Sequence, residues 1–325
     1  MSILETLRDR KLWIITDYLV VVCIVLLVMV TAIIEPNFLT MRNIGNILRQ
    51  FGPLAFASLG MTFIIIAGFI DLSIGGMMSF IAIATIMLID PLGQVAALIC
   101  GIIIGAICGF LNSSVILKAG ALTQAEALFI TFGMGTVYAA LAMLLSGGAT
   151  QHLSWCKSDT SMFGAIGVNN IAGPVSLSFL IFVVVLIILH IFQSKTTLGR
   201  EIFLVGGNKV AARLSGVSVG RSIMTVYIIA GAMSALAAIV LFSRVGTASP
   251  TIGLDYQTQA ILAVVVGGTT LIGGNGGVLR TVVGALLIIL LSNCLNLLGV
   301  SVYMQNVASG AILILAIWLD NRKQM

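Results

Sequence analysis

Charge is the first shortage in this sequence: Asp, Glu, Lys and Arg together make up 8% of its 325 residues. A soluble domain carries about a quarter, so a water-exposed globule is excluded. Histidine is nearly missing. His152 and His190 fall in different segments and no H-E-x-x-H occurs, which removes the common zinc-hydrolase arrangement. Serines are present, but none has an evident base placed to activate it, so no nucleophilic enzyme is indicated. The five cysteines are Cys23, Cys100, Cys108, Cys156 and Cys294, with no C-x-x-C pair among them. All but Cys156 sit in apolar runs, where a thiol behaves as a small hydrophobe, so neither a disulfide framework nor a metal site is implied. The Gly-Lys pair of a phosphate-cradling Walker loop never occurs. ATP, if it is used, is therefore hydrolysed by another chain.

What the sequence has in plenty is long apolar runs: 59% of it is hydrophobic and the mean hydropathy is +1.17. At about 20 residues per crossing, this is an all-α polytopic membrane protein, because a lipid-immersed backbone must satisfy its own hydrogen bonds. Ten spans are expected, at about residues 12–34, 51–70, 77–89, 94–117, 122–145, 175–192, 222–242, 259–272, 278–298 and 302–319. They form a single membrane domain over 1–325. The first run lacks an A-x-A-like site and reads as an uncleaved span. Residues 38–50 alternate polar and apolar at helical spacing and read as a separate helix lying flat at the interface. Residues 146–174 read as an exposed polar loop.

Ten spans put both termini on one side. With the N-terminus inside, twelve basic residues fall inside, among them Arg8, Arg10, Lys11, Lys118, Arg280, Arg322 and Lys323. Arg42, Arg49, Lys157 and Arg244 fall outside. That bias places both termini, and the loop between spans six and seven, in the cytoplasm. The net charge of +5 follows the span ends and outlines no groove for nucleic acid. Spans two to five and seven to ten are offset by an odd number, as an inverted repeat requires, although their sequences match only weakly.

The loop at about 195–221 carries Lys195, Arg200, Lys209, Arg213 and Arg221 against one acid, Glu201. Gly206 and Gly207 permit a sharp bend, and Asn208 can cap a short helix. In that helix Val210 and Leu214 share a face with Ala211 beside them, while Lys209 and Arg213 share another. Gly216 can close it in the left-handed region. Such a loop either fixes orientation in the membrane or offers its apolar face to a partner.

Polar groups in the spans and the turns between them are the candidates for lining a path: Asp71, Ser73, Asn112, Thr270, Asn275, Asn293 and Asn296. Amides and hydroxyls suit a neutral polar solute, whereas an ion path would present fixed charge at depth. Asp71 reads either as a helix cap or as part of that lining. Glu126 reads either as a paired membrane acid or as facing a water-filled cavity. The run Gly273–Gly277 permits close packing or an irregular turn.

Three stretches carry a family resemblance. G-R-x-x-x-x-V-G-G-N-x-x-A-A-R-x-x-G-V runs from Gly199 to Val217. G-M-T-x-x-I-x-x-G-F-I-D-L-S-I-G runs from Gly60 to Gly75. T-Q-A-I-L-A-V-V-V-G-G-T-T-L-I-G-G-N-G-G runs from Thr258 to Gly277. Over about residues 40–320 the chain resembles ABC importer permeases of the ribose and galactose type. Asn112, in G-F-L-N-S, fits a family position too. The chain departs at Phe69 and Ile74, which stand where the family has Gly and Val, and Phe69 puts close backbone packing there in doubt. The family's Pro-Phe is missing before residues 127–133, and its arginine is missing from V-Y-A-A-L-A.

The resemblance implies a bacterial inner-membrane permease, paired with a second copy or a related subunit and embedded in the lipid bilayer. It also implies a periplasmic sugar-binding protein and a cytoplasmic ATPase that uses the ATP, with no cofactor on this chain. The coupling loop then comprises Gly199, Arg200, Gly206, Gly207, Asn208, Val210, Ala211, Ala212, Arg213, Leu214 and Gly216. Two other readings remain open: a branched-chain amino acid permease of the same transporter type, and an ion-coupled secondary transporter.

Overall fold

The structure, a computed structural model, describes Val22 and residues 24–322. The start of the first expected span lies outside the described residues, with Arg8, Arg10, Lys11, Cys23 and Lys323. Within them the chain is mostly helical. Six helices are long and apolar enough to cross a membrane: α2 Met41–Ile66, α5 Gln94–Lys118, α6 Gln124–Ser146, α8 Leu177–Lys195, α11 Val219–Val245 and α13 Val278–Leu297. Four further apolar helical segments are shorter: α1 Ile24–Ile34, α3 Ile74–Met87, α12 Tyr256–Val266 and Val302–Ile314 of α14. α14 itself is Val302–Arg322. Ile89–Leu92 forms α4, a single turn. The fold is that of an all-α polytopic membrane protein.

α2 and α11 form the centre. Of their most apolar stretches, 89% and 72% of residues are buried, against 28% in α5 and 22% in both α6 and α8. Small residues make that centre possible, because without a Cβ two helix backbones can touch. A Cβ on Gly60 of α2 would stand 2.9 Å from Ala230 Cα of α11. Gly105 and Gly109 of α5 press in the same way on the backbone of Gly231 and Tyr227 in α11. The outer faces of α5, α6 and α8 remain apolar and exposed, with Ile103, Phe132 and Ile188 among them, as lipid-facing helices require.

The two halves repeat one plan. α2, α3, α5 and α6 have 26, 14, 25 and 23 residues, and α11, α12, α13 and α14 have 27, 11, 20 and 21. Partners correspond as well: α11 packs on α5 and α3 as α2 packs on α13 and α12, and α3 meets α6 as α12 meets α14. The weak sequence match conceals this, since packing asks only for small residues at the crossings.

Several expectations need correction. Residues 41–50 are no separate interfacial helix, because α2 runs unbroken from Met41 through Pro53 to Ile66. Its polar start is held by partners: Thr40 caps it, Asn43 pairs with Asn293, and Arg49 Nη1 donates to Asn170 Oδ1 at 2.9 Å. The segment 146–174 is more than an exposed loop. It holds β1 Gln151–His152, a 3-10 turn at Leu153–Trp155, α7 Ser161–Gly167 and β2 Asn170–Ala172, which pairs with β3 Val175–Ser176. Phe163 of α7 is fully buried. β1 pairs antiparallel with β4 Thr247–Ala248, tying the two halves together at one end. The helix expected over 259–272 stops at Val266, and residues 267–277 are irregular. Glu126 is not an acid embedded among the spans, although Lys209 lies near enough for the two charges to attract. It lies exposed at the start of α6 in a capping box, its Oε2 accepting from Thr123 N at 3.0 Å.

Candidate coupling surface and polar core

The polar stretch after α8 folds as two helices, α9 Thr197–Gly207 and α10 Lys209–Leu214. Thr196 caps the first, accepting from Gly199 N at 3.0 Å. Asn208 caps the second, its Oδ1 accepting from Val210 N at 2.9 Å and Ala211 N at 3.0 Å. Gly216 closes α10 with φ +82°. The apolar face stands open: Val210 is 69% and Leu214 84% exposed, with Ala211 exposed between them and only Ala212 turned inward. Arg200 and Arg213 are exposed as well.

Three glycine-rich segments meet where α9 ends. A Cβ on Gly206 would strike Ile66 O at the end of α2 and come within 2.7 Å of Gly274 N. Gly68, at φ +80°, and Gly273, at φ +97°, face each other so closely that a Cβ on Gly273 would lie 2.7 Å from Gly68 Cα. Gly274 N donates to Ile66 O at 2.8 Å. Gly199 packs on the carbonyls of Phe192 and Gln193. Gln193, which the sequence did not single out, holds the far side of the same turn, accepting from Val278 N at 3.1 Å. The base of α10 is thus locked to the turn between α2 and α3 and to the loop before α13.

Phe69 does not spoil this packing, because the close approach falls on Gly68. The Phe69 side chain is fully buried, with Lys209 Nζ 3.8 Å above its ring centre and the Tyr227 ring 6.4 Å away. Lys209 Nζ also donates to Leu122 O at 2.6 Å. Burial pulls the lysine below the usual range, opposed by the nearby carboxylate of Glu126. One cation therefore bridges two turns of the bundle from the root of α10.

Behind the turn lies a buried polar chain. Asp71 Oδ1 accepts from Ser73 N at 2.7 Å and Ser73 Oγ at 2.6 Å. Asn112 Nδ2 donates to Ser73 Oγ at 2.7 Å, and Tyr138 Oη donates to Asn112 Oδ1 at 2.9 Å. Tyr138, on α6, was missed in the sequence because nothing local marks a tyrosine as the end of such a chain. Asp71 Oδ2 and Tyr227 Oη are buried without partners among the described residues. The capping geometry of Asp71 is present, within a network joining α3, α5 and α6.

The seven candidate path residues fall in three places. Asp71, Ser73 and Asn112 are joined. Thr270 and Asn275 lie in the irregular 267–277 loop beside the glycine junction. Asn293 pairs with Asn43 at 3.0 Å in both directions, and Asn296 accepts from Gln305 Nε2 at 2.9 Å. That last group sits at the far ends of α2 and α13, about 30 Å from the junction at 1.5 Å per helical residue. The structure does not string the seven into one path through the chain.

The structure is a helical membrane bundle with an open amphipathic helix braced at one end, and comparison with known proteins specifies its kind. The family described as "Branched-chain amino acid transport system / permease component" matches residues 43–317, and this chain belongs to it. The ribose import permease RbsC of Escherichia coli K12 is 33% identical over 318 residues, 97% of this chain and 96% of that protein. RbsC of Bacillus subtilis 168 is 37% identical over 299 residues, 92% and 90% of the two chains. The D-allose permease AlsC of Escherichia coli K12 is 32% identical over 287 residues, 87% and 84%. No solved structure matches. The protein is a multi-pass permease component of a membrane transport system.

Proposed function

We propose that this chain is the transmembrane subunit of an ATP-driven importer that moves a monosaccharide across the bacterial inner membrane. The observation that carries this reading is similarity to ribose permeases along nearly the whole chain. The family's printed description favours branched-chain amino acids, but relatives 30–37% identical to this chain are named for ribose, allose and xylose.

In this reading the chain crosses ten times with both termini in the cytoplasm. The distribution of charge in the fold supports it. Arg49 meets Asn170, and Lys157 N donates to Asp90, at the end where β1 pairs with β4 beside Arg244. Lys209 and Arg213 lie at the opposite end. α10 then faces the cytoplasm and docks its exposed Val210, Ala211 and Leu214 on an ATPase subunit, which binds and hydrolyses the ATP. A periplasmic binding protein delivers the sugar to the other end. Because the α2–α11 centre is filled, the path runs along a face of the bundle that a second permease copy closes. ATP-driven closure of the ATPase pair would move α10. The glycine junction, being backbone against backbone, passes that movement to the roots of α3 and α13.

The test is uptake in proteoliposomes holding the permease with its ATPase and binding protein. ATP-dependent accumulation of labelled D-ribose, D-allose or D-xylose is expected. Accumulation of leucine and of none of these sugars would support the amino acid reading instead. Uptake driven by an ion gradient without ATP would overturn both.

A further inference from the structure

At the end of α3 remote from the junction, a cavity of about 210 Å³ opens beside β1. It is lined by Ile86 and Met87 at the end of α3, and by Asp90, Gln151, His152, Trp155 and Cys156. A chamber this small suits a single sugar ring, since pockets for drug-sized ligands start near 300 Å³.

The walls have the chemistry a sugar needs. Trp155 is 63% exposed although it sits in an ordered turn, so its indole is a flat apolar surface open to the cavity. The His152 ring stands against it, centroids 4.2 Å apart and tilted by 44°, which fixes the indole's attitude. Asp90 Oδ1 accepts from Lys157 N at 2.8 Å and Ser158 N at 2.9 Å, pinning the loop to α4. Asp90 Oδ2 and the side chains of Gln151 and His152 have no hydrogen-bond partner among the described residues. Unpaired donors and acceptors around an exposed aromatic face match a solute with an apolar C–H face and a rim of hydroxyls. Around it the chain has paired its polar groups with care: Gln94 Nε2 donates to Asp159 Oδ2, and Gln94 Oε1 accepts from Met162 N.

We infer that Trp155, with Gln151, His152 and Asp90, forms a receiving subsite that holds one monosaccharide as it leaves the binding protein. The inference rests on the sugar-import reading and names a contact within it. The indole takes the C–H face of the ring, Gln151 and His152 exchange hydrogen bonds with hydroxyls, and Asp90 Oδ2 accepts one more. Binding is weak by construction, because the cavity is open and a conducting site must release what it holds.

The experiment uses the full-length permease in lipid nanodiscs without binding protein. Saturation-transfer NMR is recorded with D-ribose, D-allose and D-xylose. Transfer to ring C–H protons of the sugar that the complete importer transports is expected. Trp155→Ala should raise the apparent dissociation constant about three- to tenfold, and Trp155→Phe should restore most of the loss, which separates a missing platform from misfolding. Equal transfer to wild type and Trp155→Ala, or no transfer of a sugar the importer moves, would overturn the subsite alone. Loss in Trp155→Ala of ATPase stimulation by sugar-free binding protein, with sugar transfer intact, would make this a protein-docking surface and overturn it too. Import of none of the three sugars by the wild-type complex would instead overturn the sugar-import reading.

Discussion

The two ends of the bundle are held by different chemistry. At the end carrying α10, backbones touch directly through Gly68, Gly206, Gly273 and Gly274, with one backbone hydrogen bond from Gly274 to Ile66. At the other end side chains make most of the joints, Asn43 with Asn293, Arg49 with Asn170 and Gln94 with Asp159, beside a two-residue β pairing and one close backbone approach, Gly167 on Ser243. Backbone contacts leave no rotamers to adjust, so displacement of one element displaces its neighbour. Amide pairs can exchange partners at modest cost. On the proposed import reading, the contrast suits a machine that is pushed at one end and must open and admit cargo at the other.

The sharpest way to break this comparison is to place a Cβ in the junction. Gly206→Val should abolish transport and lower the melting temperature in detergent, since the collision is with backbone that cannot rotate away. A cost of about 3 kcal/mol or more is expected. Gly207→Ala, where a Cβ meets nothing within 4 Å, should transport normally. Equal behaviour of the two variants would remove the junction from the account.

Next in size is Ala211→Asp on the open face of α10. A carboxylate placed in a dry contact without a partner costs about 2–4 kcal/mol. Normal membrane abundance is expected, with loss of uptake and of ATPase co-purification. Wild-type uptake at equal abundance would show that nothing docks there.

A smaller effect separates the two roles open to Asp71. Asp71→Asn keeps Oδ1 for Ser73 and removes charge from a carboxylate whose second oxygen is unpartnered. Sugar uptake should survive substantially. Asp71→Leu strands Ser73 and should cost about 1–3 kcal/mol of stability with reduced uptake. Abolition of uptake by Asp71→Asn, in a normally inserted protein, would mean that the charge itself is used.

These regions also differed in how far they could be read from sequence. α10 was legible almost residue by residue, because Asn208, the Val210–Leu214 spacing and Gly216 are local signals for cap, face and stop. The apolar helices were legible from hydropathy. α9 was not: its Gly199 and Gly206 look like loop residues until Gln193, Ile66 and Gly274 are seen packed against them. The start of α2 misled for the same reason. Its polar residues suggest an interface helix, and their partners lie as far off as Asn293. Glu126 looked like a membrane acid only because Thr123 was not recognised as the other half of a capping box. Tyr138 carries no local mark at all, since a buried hydrogen-bond chain is defined by three helices at once.

The orientation of the two ends is the claim on which everything else depends, and thiol labelling tests it most directly. In a chain stripped of its five native cysteines, cysteine is placed either at Lys157 or at Leu214, both exposed. Intact cells are then treated with a membrane-impermeant maleimide. Lys157→Cys should label from outside. Leu214→Cys should label only after permeabilisation, and less when the ATPase subunit is present than when it is absent. Labelling of Leu214→Cys in intact cells would place α10 in the periplasm and contradict the account.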